Sequence, residues 1–270
     1  MNIPIYKELI PAVVKQYNDM HHHSLNIETP VTFTEKIQWL KIYDSSFLKT
    51  FCADKIKVHT YFRKMLGDDI GIPIVKIFDD VNNITDMDLN IPSVFKCNHG
   101  SGMNIIMANK LQNLADVKKR LSGWLTTDYG IPFYERHYSL IKPTVFKEQY
   151  ITDMCDVKVF CFNGVPKFYQ IDKHFTEHRM NFYDLDWKPL LWLSNNSCPA
   201  NYNIIDEKPP LSLIYNYADK LCKPFKFVRC DFIVSRGRVY GGELTFTPGA
   251  GNQSYSGDGD RRLGNMLDLQ

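Results

Sequence analysis

The strongest constraint on the fold is an Asn-Gly pair, Asn163-Gly164, that separates two runs of strand-forming residues. Residues 157–162 (VKVFCF) and 165–171 (VPKFYQI) are rich in valine and aromatic side chains. Asn-Gly fits the two central positions of a type I′ turn, whose twist matches that of a pair of antiparallel strands. The sequence therefore predicts an antiparallel hairpin and, with it, a sheet to which the hairpin belongs.

A second hairpin is predicted near the end of the chain, where residues 225–234 and 238–247 flank a three-residue turn. Side chains of a strand alternate between its two faces. With this turn, Arg229 faces Glu243, and Asp231 lies diagonally from Glu243 on the same face. Diagonal neighbours are within about 7–8 Å of each other.

Two carboxylates at this separation can hold a hard cation. Asp231 and Glu243, with the Thr245 hydroxyl, offer the oxygen ligands that Mg²⁺ takes while it also binds phosphate oxygens. Arg229 could stabilise the charge of a phosphoryl group in transfer. An Arg229–Glu243 ion pair on a solvated face is the alternative explanation, and the hairpin alone leaves both open.

A lysine in a buried-looking strand is followed directly by a glycine loop. Lys96 lies within the predicted strand 91–97, and residues 98–102 (NHGSG) follow it. Burial of a lysine is costly unless an anion pairs with it, and the backbone N–H groups of such a loop suit phosphate. The loop has neither the G-K-[ST] ending of a P-loop nor the G-x-G-x-x-G spacing.

The remaining segments predict a mixture of helices and strands. Residues 126–142 fit neither pattern, and the glycine-rich residues 248–260 are predicted to be a mobile tail. Hydrophobic periodicity and capping residues predict the other elements. Helices are predicted at residues 1–25, 34–42, 54–66, 114–125 and 211–221, and strands at 74–78, 91–97, 104–107 and 144–151.

Composition excludes several classes of protein. With 270 residues, the chain is one large domain or two smaller lobes. Its net charge of +2 gives no bulk electrostatic case for nucleic acid or a membrane surface. No apolar run approaches the roughly 20 residues that span a bilayer, and the first residues are not expected to be a signal peptide. Scattered cysteines, 7 in all, predict buried thiols in a reducing cytoplasm.

The order of these segments resembles the ATP-grasp superfamily of carboxylate–amine ligases. An Asp-Lys helix ending in Gly-Ile-Pro precedes the lysine strand and its glycine loop. A strand ending in Glu-x-Tyr-Ile, then Arg-x-Asp and Glu-x-Thr, follow. Five stretches are similar to the TupA-like ATP-grasp family, named for teichuronopeptide biosynthesis. They are residues 33–40 (FTEKIQWL), 96–102 (KCNHGSG), 161–164 (CFNG), 182–187 (FYDLDW) and 242–249 (GELTFTPG).

This resemblance, which runs from about residue 30 to the end, implies an α+β fold. Two α+β lobes would clasp ATP, with a short helical N-terminal extension. The extension would be residues 1–53. The small lobe with the phosphate loop would be residues 54–147, and the large lobe with the adenine hinge and the Mg²⁺ site would be residues 148–270.

The resemblance also assigns roles to particular positions. Lys55, Lys96 and Arg229 would be the catalytic residues, and the two lysines would contact phosphate. Asp231, Glu243 and Thr245 would hold Mg²⁺. Many ATP-grasp enzymes have Asn where this chain has Thr245, so direct ligation by its hydroxyl is left open.

Further positions match the nucleotide site and, more weakly, the acceptor site. Residues 148–151 match the hinge that binds adenine, and Asp156 or Asp153 could bind the ribose. The ATP-binding set is Lys55, Lys96, Gly100, Ser101, Gly102, Glu148, Gln149, Tyr150, Ile151, Asp156 and Lys158. The candidate substrate contacts are Arg179, His174 and His178.

The implied activity is an ATP-dependent ligation in the cytoplasm. The enzyme would form an amide, through an acyl phosphate, between a sugar carboxylate and an amine or amino acid, releasing ADP and phosphate. A hexuronic acid in capsule or cell-surface polysaccharide biosynthesis is the expected acceptor. ATP and Mg²⁺ are the expected cofactors, and polysaccharide assembly enzymes are the expected partners.

Three other functions stay open at this point. A glycosyltransferase that uses a nucleotide sugar would need a D-x-D pair, and such pairs occur at residues 86–88, 184–186 and 258–260. A non-catalytic nucleotide-binding partner would have no need of Lys96, Asp231 and Glu243. A kinase that stops at a phosphorylated sugar would use the same nucleotide site.

Overall fold

The computed structural model describes residues 6–89, 92–108, 112–173, 179–203 and 208–270. Within these ranges the chain forms two antiparallel sheets and a set of helices around them. Within the described ranges, no helix is both long enough and apolar enough to cross a membrane. The helices are α1 (Ile10–His21), α2 (Phe33–Tyr43), α3 (Phe47–Ala53), α4 (Val58–Leu66), α5 (Asp86–Leu89), α6 (Leu114–Leu125), α7 (Arg136–Ser139), α8 (Leu211–Cys222) and α9 (Gly259–Asn265).

The first sheet has four strands in the order β1-β4-β2-β3. Its apolar side packs on α6, where Val117 and Leu121 meet Phe95 and Ile105 of the sheet in one core. The strands are β1 (Ile74–Phe78), β2 (Ser93–Cys97), β3 (Asn104–Met107) and β4 (Val145–Gln149). The predicted boundary between residues 147 and 148 falls within β4, and the division into lobes stays a prediction.

The second sheet has five strands in the order β7-β6-β5-β8-β9. The predicted Asn163-Gly164 turn joins β5 to β6, and both residues have positive φ, 49° and 72°, as a type I′ turn requires. The strands are β5 (Met154–Phe162), β6 (Val165–Lys173), β7 (Arg179–Asp184), β8 (Phe227–Ser235) and β9 (Arg238–Thr245). Strand β7 extends the hairpin and was not predicted.

The two faces of the second sheet have different partners. Val157 and Val159 of β5 belong to a core with α3, α4 and α8. Phe160 and Phe162 point to the opposite face, into a core with α2 and α9. Because strand residues alternate, the polar Lys158 shares the face of Phe160. Helices α2 and α9 cover the aromatic part of this face, and its polar part borders a cavity.

Several predicted elements are wrong at their boundaries. The second helix begins at Phe33, because Thr32 caps it and forms a capping box with Glu35. The helix predicted at residues 54–66 begins only at Val58: α3 ends at Ala53, so Lys55 lies in the turn between α3 and α4.

The predicted mobile tail is also wrong. Residues 248–251 form a 3₁₀ turn, and α9 follows it. The Asp260 carboxylate of α9 accepts hydrogen bonds from the backbone N–H and the hydroxyl of Thr34, at 3.0 and 2.5 Å. The tail is therefore fixed to the start of α2 by specific contacts.

Candidate functional site

The turn of the last hairpin differs from the predicted one. Ser235 pairs with Arg238 across a two-residue turn, Arg236-Gly237. Both turn residues have positive φ, 49° and 77°, so this is again a type I′ geometry. The sequence prediction placed Ser235 inside the turn and paired Val234 with Arg238. The register near the turn is therefore shifted by one residue on one strand.

A β-bulge at Gly242 shifts the ladder once more. Phe232 pairs with Gly241 and the next pair is Asp231 with Glu243, so Gly242 is the extra residue of β9. Asp231 therefore lies directly opposite Glu243, instead of diagonally from it. The two carboxylates share one face of the sheet in either register.

Arg229, Asp231, Thr245, Glu243 and Lys55 form a continuous polar network. Arg229 donates from Nε and Nη2 to the two oxygens of Asp231, at 2.7 and 2.5 Å. The Thr245 hydroxyl donates to Glu243 Oε1 at 3.2 Å, and Lys55 Nζ donates to Glu243 Oε2 at 2.6 Å. The predicted Arg229–Glu243 pair is replaced by two separate pairs, because the shorter turn and the bulge together put Arg229 opposite Thr245.

Two further lysines pair with carboxylates nearby. Lys96 of β2 forms an ion pair with Glu148 of β4, which the register of the first sheet brings to the adjacent strand. Lys158 of β5 forms an ion pair with Asp172 of β6. Each cation that the sequence predicted for this site thus has a carboxylate partner.

Most of these residues, but not Thr245 or Asp172, line one cavity of about 370 Å³ between the two sheets. Its walls combine cations, carboxylates, the glycine loop and a few apolar side chains. The lining residues are Lys55, His59, Ile72, Lys96, Gly100, Ser101, Gly102, Met103, Asn104, Glu148, Asp156, Lys158, Arg229, Asp231, Phe232, Ile233, Gly241, Gly242 and Glu243.

Other predicted site residues lie elsewhere. Tyr150 and Ile151 line a larger neighbouring cavity of about 1060 Å³, together with Asp153 and Asp156. Asp156 borders both cavities, so they adjoin at this residue. Gln149 is exposed at the end of β4.

The predicted acceptor contacts are only partly within the described chain. Arg179 is buried at the start of β7 and is outside the lining of these two cavities. His174 and His178 lie outside the described residues. Thr245, a predicted metal ligand, is not part of the cavity wall. It is connected to the site by its hydrogen bonds to Asp231 and Glu243.

The ion pairs and burial together shift the pKa values of several charged groups in the site. Attraction by Lys55 lowers the pKa of Glu243 to about 2, although burial acts in the opposite direction. Burial alone would lower the pKa of Lys55, but Glu243 outweighs it and the pKa is raised. Burial raises the pKa of Asp231, against the attraction of Arg229. Burial also lowers the pKa of Lys158, and repulsion by Arg229 adds to this.

The lowered pKa of Glu243 makes one contribution to stability pH-dependent. A carboxylate with a depressed folded-state pKa stabilises the fold above its ordinary pKa of 4.5 and loses this effect as the pH falls towards about 2. We expect Lys55→Met to unfold more easily than wild type at pH 7, by up to about 3 kcal/mol. The difference should shrink below pH 4.5.

Urea unfolding of both proteins between pH 2 and pH 7 measures this difference. The exposed Lys64 of α4 supplies the control, since Lys64→Met should show no such pH dependence. A Lys55→Met difference that stays constant across this range would contradict the assigned ion pair.

The chemistry of the donor set fits a hard divalent cation. Asp231 and Glu243 present carboxylate oxygens on one face, and Thr245 presents a hydroxyl within hydrogen-bond distance of Glu243. Mg²⁺ prefers oxygen ligands and is commonly held by one or two carboxylates together with phosphate oxygens and water. Lys55 already places a cationic group at 2.6 Å from Glu243.

The sequence analysis missed His59, which also lines the cavity. It lies four residues after Lys55, a spacing that was available in the sequence but resembles any helical repeat. Gln38 was also missed: its amide donates to the Gly251 carbonyl at 3.0 Å. This contact gives the 33–40 motif a role in fixing the loop after β9.

An aspartate of each of the three D-x-D pairs makes structural contacts away from the two cavities. Asp88 is buried and pairs with Lys76 at 3.2 Å. Asp184 accepts from the backbone N–H of Lys188 in a turn, and Asp260 holds the start of α2. None of these aspartates is among the described residues that line the two cavities.

The TupA-like ATP-grasp family model matches residues 35–268. The chain belongs to the TupA-like ATP-grasp family. Membership confirms the resemblance seen in the sequence and the expected α+β ATP-grasp fold, within a family of ATP-grasp ligases. A comparison with curated proteins found no match.

Solved structures of other ATP-grasp proteins are similar at low identity. The D-alanine–D-alanine ligase of Bacillus anthracis complexed with ATP is 18% identical, with a TM-score of 0.41, over 73% of this chain and 55% of that one. Biotin carboxylase of Campylobacter jejuni is 14% identical, with a TM-score of 0.43, over 90% and 48%. The ligase PsnB complexed with a minimal precursor is 11% identical, with a TM-score of 0.41, over 74% and 54%.

The TupA-like chain thus spans about half the length of the solved structures that it matches. All three TM-scores are below 0.5. The family assignment therefore rests on the sequence match over residues 35–268.

Proposed function

We propose that the chain is an ATP-dependent carboxylate–amine ligase that joins a sugar carboxylate to an amine or amino acid. The acceptor would be a hexuronic acid of a capsule or cell-surface polysaccharide. The observation that carries this proposal is the convergence of Lys55, Lys96, Arg229, Asp231 and Glu243 on one cavity. Such a site combines cations for phosphate with carboxylates for a divalent metal.

The cavity has an apolar end and a charged end. Ile72 and Ile233 line this cavity and form a small cluster with Ile151 and Tyr240 beside the predicted hinge, which suits a flat purine base. The glycine loop, residues 100–102, lines the cavity near the lysines. In this proposal the base binds at the apolar end, and the phosphates extend towards Lys55 and Lys96.

The reaction would take place in two steps. First, the substrate carboxylate attacks the γ-phosphorus of ATP, which gives an acyl phosphate and ADP. Next, the amine nitrogen attacks the acyl carbon, the bond from that carbon to the phosphate oxygen breaks, and the amine loses a proton. Arg229 would stabilise the negative charge during phosphoryl transfer, and the two lysines would hold the phosphates in line.

Asp231 and Glu243, with Thr245 hydrogen-bonded to them, would hold Mg²⁺. When bound, the metal supplies positive charge that neutralises the phosphates. Asp156 or Asp153 would bind the ribose, and Lys158 a phosphate. Arg179, His174 and His178 remain the proposed acceptor contacts. All 7 cysteines are free thiols, which agrees with the proposed cytoplasmic location.

Removal of Lys96 tests this site directly. With Mg²⁺ present, the affinity of Lys96→Ala for a non-hydrolysable ATP analogue should be lower than that of wild type by about tenfold or more. The reason is that a charged hydrogen bond to phosphate disappears. Isothermal titration calorimetry with and without Mg²⁺ measures the affinity. Lys64→Ala removes an exposed lysine of α4 and should bind as wild type does.

The result for wild type also decides between functions. Mg²⁺-dependent binding would justify a screen of uronic acids with amines for ADP release. Folded wild type that fails to bind the analogue, but binds a nucleotide sugar with Mn²⁺, would contradict the ligase proposal and favour a glycosyltransferase.

A further inference from the structure

One imidazole of the cavity wall has no role in the proposed mechanism. His59 lies in the first turn of α4, four residues after Lys55, and its side chain lines the same cavity. The residue is 9% exposed. A histidine in such a position is available to a ligand, and its surroundings determine what it can bind.

A carboxylate fixes the orientation of the His59 ring. Nδ1 lies 3.1 Å from Oδ2 of Asp69, and a carboxylate can only accept a hydrogen bond. Nδ1 therefore carries a hydrogen, which it donates to Asp69. Arg63 Nη1 and the Gly71 backbone N–H also donate to Asp69, at 2.5 and 3.0 Å, so the carboxylate is itself held in place.

The other side of the ring packs against the backbone of Gly71. A Cβ atom at Gly71 would lie 2.2 Å from Cε1 of His59, so the imidazole occupies space that only glycine leaves free. The ring is thus wedged between Asp69 and Gly71. Its position in the wall is preorganised before any ligand arrives.

The remaining ring nitrogen, Nε2, has no hydrogen-bond partner among the described residues. The predicted cations of the cavity differ in this respect, since Lys55, Lys96, Lys158 and Arg229 each pair with a carboxylate. A ring protonated at both nitrogens can donate to Asp69 and to an anion at the same time.

The position of His59 indicates which part of a nucleotide it meets. His59 packs on Gly71, which precedes Ile72 of the apolar cluster beside the predicted hinge. Along the chain, His59 follows Lys55, which bonds to Glu243. The wall at His59 therefore adjoins the apolar cluster through Gly71 and the charged residues through Lys55. A nucleotide with its base at the apolar end and its terminal phosphate at Glu243 would place its α-phosphate near this point.

We propose that His59 is a further nucleotide-binding residue whose Nε2 donates a hydrogen bond to the α-phosphate of ATP. This inference rests on the proposed nucleotide site. Asp69 is then a positioning residue: it accepts from Nδ1 and holds the ring in place, so that the ring protonated at both nitrogens donates from Nε2 to the phosphate. Comparison of nucleotides that differ in their phosphates separates this contact from contacts with the ribose or with the terminal phosphates.

The test is the affinity of wild type and His59→Ala for a non-hydrolysable ATP analogue, AMP and adenosine. Displacement of a fluorescent ATP analogue, with Mg²⁺ present, gives all three constants. We expect His59→Ala to lower the affinities for the ATP analogue and for AMP by the same factor, about tenfold or more. The affinity for adenosine should stay unchanged. His23→Ala removes an exposed histidine and should change none of them.

Three outcomes would overturn the inference. Unchanged affinity of His59→Ala for the ATP analogue would exclude any contact. An equal loss for adenosine would place the contact at the ribose or base, and a loss confined to the ATP analogue would place it at the distal phosphates. Failure of wild type to bind the analogue would instead contradict the proposed function.

A measurement on wild type covers the case in which His59→Ala does not fold. With ¹⁵N-labelled histidine, addition of AMP should shift the Nε2 resonance of His59 towards the protonated position, and adenosine should not. An Nε2 resonance that is the same with AMP and with adenosine would contradict the contact.

Discussion

Glu243→Gln is expected to lower the rate of ATP turnover by roughly a thousandfold or more, while the chain stays folded. The amide keeps the size of the side chain but removes a negative charge from the proposed metal site. The Thr245 hydroxyl, 3.2 Å from Oε1, can still donate to the amide oxygen. Loss of the ion pair with Lys55 should lower the free energy of unfolding by up to about 3 kcal/mol, as for Lys55→Met, whereas the loss of ATP turnover should come from the metal site and the phosphates.

Two measurements check this expectation. ADP release is assayed with MgATP and the uronic acid and amine that give wild type its highest rate, and calorimetry gives the affinity for an ATP analogue with and without Mg²⁺. The affinity of Glu243→Gln should no longer depend on Mg²⁺. Glu28→Gln changes an exposed glutamate and should behave as wild type. ADP release at the wild-type rate by Glu243→Gln would remove Glu243 from the metal site.

Phe33→Ala is expected to lower the free energy of unfolding by about 3–5 kcal/mol. Phe33 begins α2 in the predicted N-terminal extension, yet it is 1% exposed. Its ring lies 5.0 Å from that of Phe227 and 5.8 Å from that of Phe162, between centroids. Loss of the ring would leave a cavity inside the core of the five-stranded sheet.

Phe47→Ala is the matched control, because Phe47 is 74% exposed at the start of α3. Its free energy of unfolding should change by no more than about 0.5 kcal/mol. Urea denaturation of both variants measures the difference. Equal effects of the two substitutions would mean that α2 does not contribute to the main core, and that residues 1–53 are separable from it.

The sequence predicted the order of the site elements better than their geometry. The lysine strand, the glycine loop and the strand before the predicted hinge occupy the predicted positions because strand runs and their turn residues are local signals. The register of the last hairpin was wrong because it depends on whether Ser235 pairs or turns. The shorter turn and the bulge at Gly242 each shift the pairing by one residue, and together they move Arg229 from Glu243 to Thr245.

Long-range packing accounts for the other differences. Gly71 and Gly241 form a parallel bridge, and a Cβ at Gly241 would lie 2.6 Å from the Phe62 ring. These glycines allow α4 to approach β9, and with it Lys55 and His59 to approach the site. A sequence window reveals a glycine but does not reveal which distant residue needs the space.

The ion pairs around the cavity have a consequence for how ligands enter it. Lys55 holds Glu243 at 2.6 Å, and Lys96 is paired with Glu148. Phosphate can take these lysines only if the carboxylates that they leave find other cations. Nucleotide binding at the proposed site would thus be an exchange of partners rather than the filling of an empty space. A nucleotide that arrives with its own divalent ion would complete the exchange at Glu243, and one that arrives without it would leave a carboxylate facing a phosphate.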